Sequence, residues 1–260
     1  MSSIYKRAKT AFIDSNEAQD FVKLDTNIFY LEKLKELLEK PFKFVVVYGE
    51  PGVGKTMLLK RVVHEKGDTK LIPYFKPFFS KEEMERAFCK DLFGNEEIDL
   101  LSSLNTLEDF SKTIILDEAQ LYDVEILEFI RVIADTKKVR FILVMHQNQD
   151  EELMAKEHFK TRIYENIAIK PPTKKELLIY IHKRLFAYEL VELANTITKT
   201  QSDYIYRFTH GNLRLSNKFL FTLFDLLEYF EANHPSLTNT TKIDKKFLEM
   251  SAIHLGYIDA

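Results

Sequence analysis

The chain has a single cysteine, Cys89, among 260 residues. That excludes an intrachain disulfide and a cysteine-held metal cluster. Cys89 lies among Met84, Phe88, Leu92 and Phe93, which reads as a buried structural thiol. Neither sign of charge dominates, since 37 basic and 40 acidic side chains leave a net charge of −3. Such a balance gives no electrostatic case for a dedicated nucleic-acid binder. The cluster Lys242, Lys245 and Lys246 is short, of a kind that is normally just solvated. No stretch approaches the roughly 20 apolar residues of a membrane-spanning helix. No apolar segment follows the charged start Met1–Lys9, so no signal peptide is expected. There is no internal repeat and no low-complexity tract. These absences point to a cytoplasmic chain with no integral membrane segment, able to sit at a membrane only peripherally, through partners. Hydrophobic residues at 45% and charged residues at 30% make it globular.

What is present begins with a glycine loop. Residues Gly49-Glu50-Pro51-Gly52-Val53-Gly54-Lys55-Thr56 fit the phosphate-binding pattern G-x-x-x-x-G-K-[ST] at every fixed position. The apolar run Phe44–Tyr48 before it reads as a buried parallel strand. Met57, Leu58, Leu59, Val62 and Val63 after it suit a helix with one apolar face. Loop amides and helix N-terminus then point at one anion. Gly49 to Met57 form the candidate nucleotide-binding segment: Lys55 reaches the β- and γ-phosphates of ATP, and the Thr56 hydroxyl holds Mg²⁺.

Residues 43 to about 170 alternate apolar runs with amphipathic segments. Strands are expected near 43–48, 69–75, 112–117, 139–145 and 165–169, with helices near 54–66, 80–93, 123–136 and 149–161. Ahead of them, Phe29–Lys40 carries Leu31, Leu34, Leu37 and Leu38 at helical spacing. Ser80 and Glu83 fit a capping box. The alternation predicts an α/β fold with a parallel five-stranded sheet covered on both faces. Pro171-Pro172 then breaks the chain, and Thr173-x-x-Glu176 opens an all-helical region with helices near 174–188, 201–209, 213–231 and 243–255. The expected domains are 1–171, a lead-in plus nucleotide-binding core, and 172–260, a small helical lid.

A second segment carries chemistry. Ile114-Ile115-Leu116 ends in Asp117-Glu118, two carboxylates at the end of a buried strand, where ligands of α/β sheets bind. Asp117 is placed to bind Mg²⁺ and Glu118 to orient and polarise the attacking water. The next strand ends in His146-Gln147-Asn148, any of which can bridge γ-phosphate and water; Gln147 is the candidate carried forward. Arg162, before the fifth strand, can project into a neighbouring subunit's nucleotide, with Lys160 as the alternative; the plain reading is a basic residue completing a helix. Arg214 sits in the first turn of a helix that Asn212 can cap, where a cation is mildly unfavourable unless a phosphate lies near. It is expected to couple the lid to nucleotide state; the rival is a surface ion pair.

Together these motifs, with Asp117-Glu118-Ala119-Gln120 and Gly211-Asn212-Leu213-Arg214-Leu215-Ser216-Asn217, resemble the AAA+ ATPases. More narrowly they are similar to the general secretion pathway protein A group (ExeA, MshM). The shared features are Phe29-Tyr30, Leu143-Val144-Met145-His146-Gln147, Arg162-Ile163 and Tyr180-Ile181-His182-Lys183-Arg184-Leu185. The loop after the fourth strand departs from that group, being longer and lacking its proline. The resemblance implies an accessory ATPase at the cytoplasmic face of a secretion, type IV pilus or DNA-uptake apparatus, working as a homo-oligomer or within a heteromeric AAA+ assembly. The alternative is a DNA-binding helper ATPase of the transposition or replication-loading kind.

Overall fold

Five strands are built from segments rich in Val, Ile, Leu and Phe: β1 (Phe44–Gly49), β2 (Leu71–Tyr74), β3 (Lys112–Leu116), β4 (Val139–His146) and β5 (Ile163–Ala168). All neighbours run parallel, in the order β2-β3-β4-β1-β5. The computed structural model describes residues 3–14, 17–67, 69–146, 157–237 and 242–259. The central strands are shut off from water on both faces, with Val45, Val46, Ile114, Ile115, Phe141 and Ile142 fully buried. Each such side chain contributes about 1.5–3 kcal/mol by leaving water, which is why these runs are continuous rather than alternating.

The chain divides into two units. One comprises Tyr30–Pro51 and Lys55–Ile169. In it the sheet packs with α3 (Lys55–Lys66), α4 (Lys81–Phe93), α5 (Leu100–Leu104) and α6 (Val124–Asp135). A four-residue helix α7 (Glu157–Lys160) precedes β5. Ser80 caps α4 by accepting from the Glu83 amide, but the Glu83 carboxylate reaches the Phe79 amide rather than that of Ser80, so only half the expected box forms. Cys89 is buried in the core of this unit, and burial raises its thiol pKa.

The other unit comprises Met1–Phe29, Gly52–Gly54 and Lys170–Ala260. Its helices are α8 (Lys174–Ala187), α9 (Val191–Thr196), α10 (Lys199–Thr209), α11 (Leu213–Asn233) and α12 (Lys245–His254), joined by α1 (Ile4–Ala11). Thr173 and Glu176 form the expected capping box, and Asn212 caps α11 by accepting from the Leu215 amide. The sequence alone places the N-terminal lead-in with the core; here its first 29 residues belong to the helical unit. Tyr5, Ala8, Ala11 and Phe12 line one face of α1 and its exit, and the rings of Tyr5 and Phe12 stack on Phe224. Arg184, buried in the unit, donates from Nε to the Ala11 carbonyl at 2.7 Å. Glu176 accepts from the Thr26 amide and hydroxyl at 2.7 and 2.8 Å as well as from Thr173. Helix α2 (Asp25–Leu37) carries the chain from this unit into the other.

Candidate nucleotide site

The end of β1 positions the loop. Gly49 lies in register with His146 at the end of β4, and the first turn of α3 starts at Lys55. Lys55 is 7% exposed, and its ammonium donates to the carbonyls of Gly49 (2.8 Å) and Glu50 (3.1 Å). A lysine held that deep with its head curled onto the loop's own carbonyls is stationed where the loop would wrap an anion. Val53 is buried, Thr56 and Met57 are half-buried, and Glu50 and Pro51 are exposed.

At the loop tip, Gly52 has no room for a side chain. Gly52 has φ +85° and Gly54 has φ +99°, a region side chains rarely adopt. A Cβ on Gly52 would stand 2.5 Å from Asn212 Oδ1 and 2.9 Å from Arg214 Cβ, and the Arg214 amide donates to the Gly52 carbonyl at 3.3 Å. The first turn of α11 therefore rests directly on the loop tip. The Arg214 side chain is 66% exposed, with its Nε 3.9 Å from Asp14. Asp14 also accepts from the Asn217 amide, and Asn217 in turn accepts from the Tyr180 hydroxyl.

Strand β3 delivers the acids. Asp117 is 3% exposed, and its Oδ2 accepts from the Thr56 hydroxyl at 2.6 Å across 61 positions of sequence. Burial is the main influence on Asp117 and raises its pKa; the Thr56 hydroxyl and Glu118 amide oppose this without cancelling it. Glu118 stands one residue on, with its carboxylate contacted by the Gln120 amide and by His146 Nε2 at 3.4 Å. His146 is the described member of the three-residue sensor set; Gln147 and Asn148 lie outside the described residues.

These donors suit a magnesium nucleotide. A hydroxyl and a carboxylate are hard oxygen ligands of the kind Mg²⁺ selects. A buried carboxylate whose pKa is raised gains from a cation beside it. The glycine tip leaves backbone amides free of Cβ shielding for phosphate oxygens.

Arg162 is placed elsewhere. It precedes β5, whose first residue pairs with Phe44 at the start of β1, so it lies at the opposite sheet edge from the loop, about 16 Å away along the strand. Its Nε and Nη2 donate to Asp135 at 2.8 and 2.9 Å in a bidentate pair. Asp135 also takes Lys43 at 2.6 Å and Arg131 at 2.9 Å. The arrangement brings Lys55, Thr56, Asp117, Glu118 and His146 together and leaves Arg162 apart. The partners Gln120, Asp14 and Asn212 were not singled out as site contacts by sequence; Gln120 and Asn212 stood within the quoted motifs, and Asp14 had no sequence signal.

A family model described as an AAA domain matches residues 39–153. The chain as a whole has the AAA+ P-loop NTPase fold, with its helical C-terminal region. Among solved structures it is similar to the RuvB Holliday junction branch migration motor of Thermotoga maritima, at 18% identity and TM-score 0.63, covering 95% of this chain and 74% of that one. It is similar to the Aeropyrum pernix ORC1 protein in complex with DNA, at 15% identity and TM-score 0.64, covering 96% and 69%. A third is the Aeropyrum pernix ORC2 protein in ADPNP–ADP complexes, at 15% identity and TM-score 0.59, covering 94% and 70%. No curated protein matches the chain in sequence.

Proposed function

We propose that this chain is an ATPase that binds Mg²⁺–ATP on the Gly49–Met57 segment and hydrolyses it with Asp117 and Glu118. The observation that carries the reading is the 2.6 Å hydrogen bond between Thr56 and Asp117, which joins the two motifs at one point. Lys55 turns from the loop carbonyls to the β- and γ-phosphates. Thr56 and Asp117 would hold Mg²⁺, which supplies charge neutralisation on the phosphate oxygens. Glu118 orients the water for in-line attack, and His146 is the sensor residue that the described part of the loop offers. Gln147 and Asn148 remain the other sensor candidates. Arg214, against the loop tip, reads the state of the nucleotide.

Arg162 acts on a second subunit, in a homo-oligomer or a heteromeric AAA+ assembly. Its place at the far sheet edge supports action in trans rather than on its own nucleotide. The client we favour is a secretion, type IV pilus or DNA-uptake apparatus, reached from the cytoplasmic side, on the strength of the ExeA/MshM-like motifs. Among the described residues no helix is long and apolar enough to cross a membrane. A second reading, a DNA-handling helper, draws on the fold likeness to RuvB and to ORC1 with DNA. Against it, Lys245 is paired with Glu249 and Lys246 with the Leu237 carbonyl, so these two lysines of the tail cluster are engaged locally.

The test compares steady-state ATP hydrolysis and calorimetric ATP binding for the full chain and for Glu118→Gln. The variant should bind ATP as the parent does and lose about 10²–10⁴-fold in turnover. Turnover by Glu118→Gln at the parent rate would sink the assignment of Glu118. Titration with duplex and single-stranded DNA at two salt concentrations separates the two client readings.

A further inference from the structure

We propose that Gln120 is a positioning residue that fixes the direction of the Glu118 carboxylate. The inference rests on Glu118 being the group that orients the attacking water.

The local backbone explains how Gln120 comes to be there. After the buried Asp117, Glu118 takes a left-handed conformation with φ +54°. Side chains seldom adopt this region, at a cost of about 1 kcal/mol. The chain then closes a single 3₁₀ turn, Ala119–Leu121, with the Leu121 amide donating to the Glu118 carbonyl at 2.9 Å. Ala119 is buried and anchors that turn against the core. The reversal folds Gln120 back beside Glu118, and its Nε2 donates to Glu118 Oε2.

The chemistry of that contact is directional. The terminal torsion of a glutamate is broad and nearly two-fold, so nothing intrinsic to Glu118 aims its oxygens. An amide donor on one oxygen removes that freedom. The reversed amide would set Gln120 Oε1 against Glu118 Oε2, acceptor against acceptor, so only one orientation holds. His146 Nε2 lies 3.4 Å from the same oxygen. With both nitrogens on Oε2, Oε1 is assigned to the water. Misplacement of a reacting group by about 1 Å can cost on the order of 10²-fold in rate, which sets the scale of what Gln120 secures.

Gln120→Met keeps the length of the side chain and removes the donor; Gln120→Ala removes both. Full-chain proteins are compared for ATP hydrolysis, for calorimetric Mg²⁺–ATP affinity and for thermal midpoint. We expect kcat to fall about 10- to 100-fold in both variants, with KM, affinity and midpoint near those of the parent. In a Glu118→Gln background, adding Gln120→Met should change kcat no further, because the group it aims is gone. Parent-like turnover by Gln120→Met sinks this inference and leaves the ATPase reading standing. Loss of affinity and midpoint together with rate makes Gln120 a prop for the turn and also sinks it. A parent chain that binds ATP without hydrolysing it overturns both.

Discussion

The two edges of the sheet treat a buried or half-buried acid in opposite ways. At the edge where strands end, Asp117 is enclosed, its pKa raised by burial, and its partners are a hydroxyl and an amide. At the edge where strands begin, Asp135 is ringed by Arg162, Lys43 and Arg131. Hydrogen bonds from Arg162, with help from Lys43, hold the Asp135 carboxyl well below the usual carboxylate range, against a smaller opposing effect of burial. One acid is enclosed with neutral donors, which suits the Mg²⁺ role proposed for it; the other already has its cations and serves as a clasp. The difference separates chemistry from architecture within one unit, without recourse to family knowledge.

The largest effect should come from the strand-end edge. Lys55→Ala removes the ammonium that would meet the phosphates, and ATP affinity should fall at least about 100-fold in a calorimetric titration, as for loss of a charge-assisted contact. Parent-like affinity would mean the loop is not a phosphate cradle. Next, Asp135→Asn should lower stability by about 1–2 kcal/mol, because three cations lose their common partner. The thermal midpoint should drop by about 2–8 °C. Asp117→Asn, measured without nucleotide or Mg²⁺, should instead leave the midpoint unchanged or raised, since it removes a buried charge and keeps a partner for Thr56. Equal losses at both acids would erase the contrast between the edges.

The smallest effect is a pair of opposing pH slopes. The folded-state pKa of Asp135 is depressed, so its stabilisation is complete above the unfolded value near about 4 and is lost as pH falls further. Glu176 adds the same slope: burial works to raise it, but the amides of Thr173 and Thr26 outweigh that and lower it. The folded-state pKa of Asp117 is raised, so protonating it on descent from neutral pH favours the folded chain. Denaturant titrations from pH 7 to 3 should show Asp117→Asn losing the first slope and Asp135→Asn losing part of the second.

Much of this was legible in the sequence because it is local. The glycine loop with its flanking strand and helix, the Asp117-Glu118 pair, and the cap at Thr173 are all written within a few consecutive residues. The contacts that were not legible depend on tertiary register. His146 reaches Glu118 only because β3 and β4 are paired as they are, and Gln120 does so only because Glu118 turns left-handed. Helix α1 was hidden because Lys6, Arg7 and Lys9 interrupt a short apolar stripe of Tyr5, Ala8 and Ala11. The arginine of the Tyr180–Leu185 motif proves to fasten the N-terminal segment, a task no spacing rule announces. Phe29 of the Phe29-Tyr30 pair is 61% exposed while Tyr30 is buried, so only one of the two is core.

The fastening of the N-terminal segment has a consequence for biosynthesis. The Ser3 hydroxyl donates to Glu231, 228 positions later in the chain. At about 5–20 residues per second, the ribosome makes the first helix some 10–45 s before its docking surface. The sheet can therefore mature while the residues of α1 wait, exposed to chaperones and proteases, for α11 to be made.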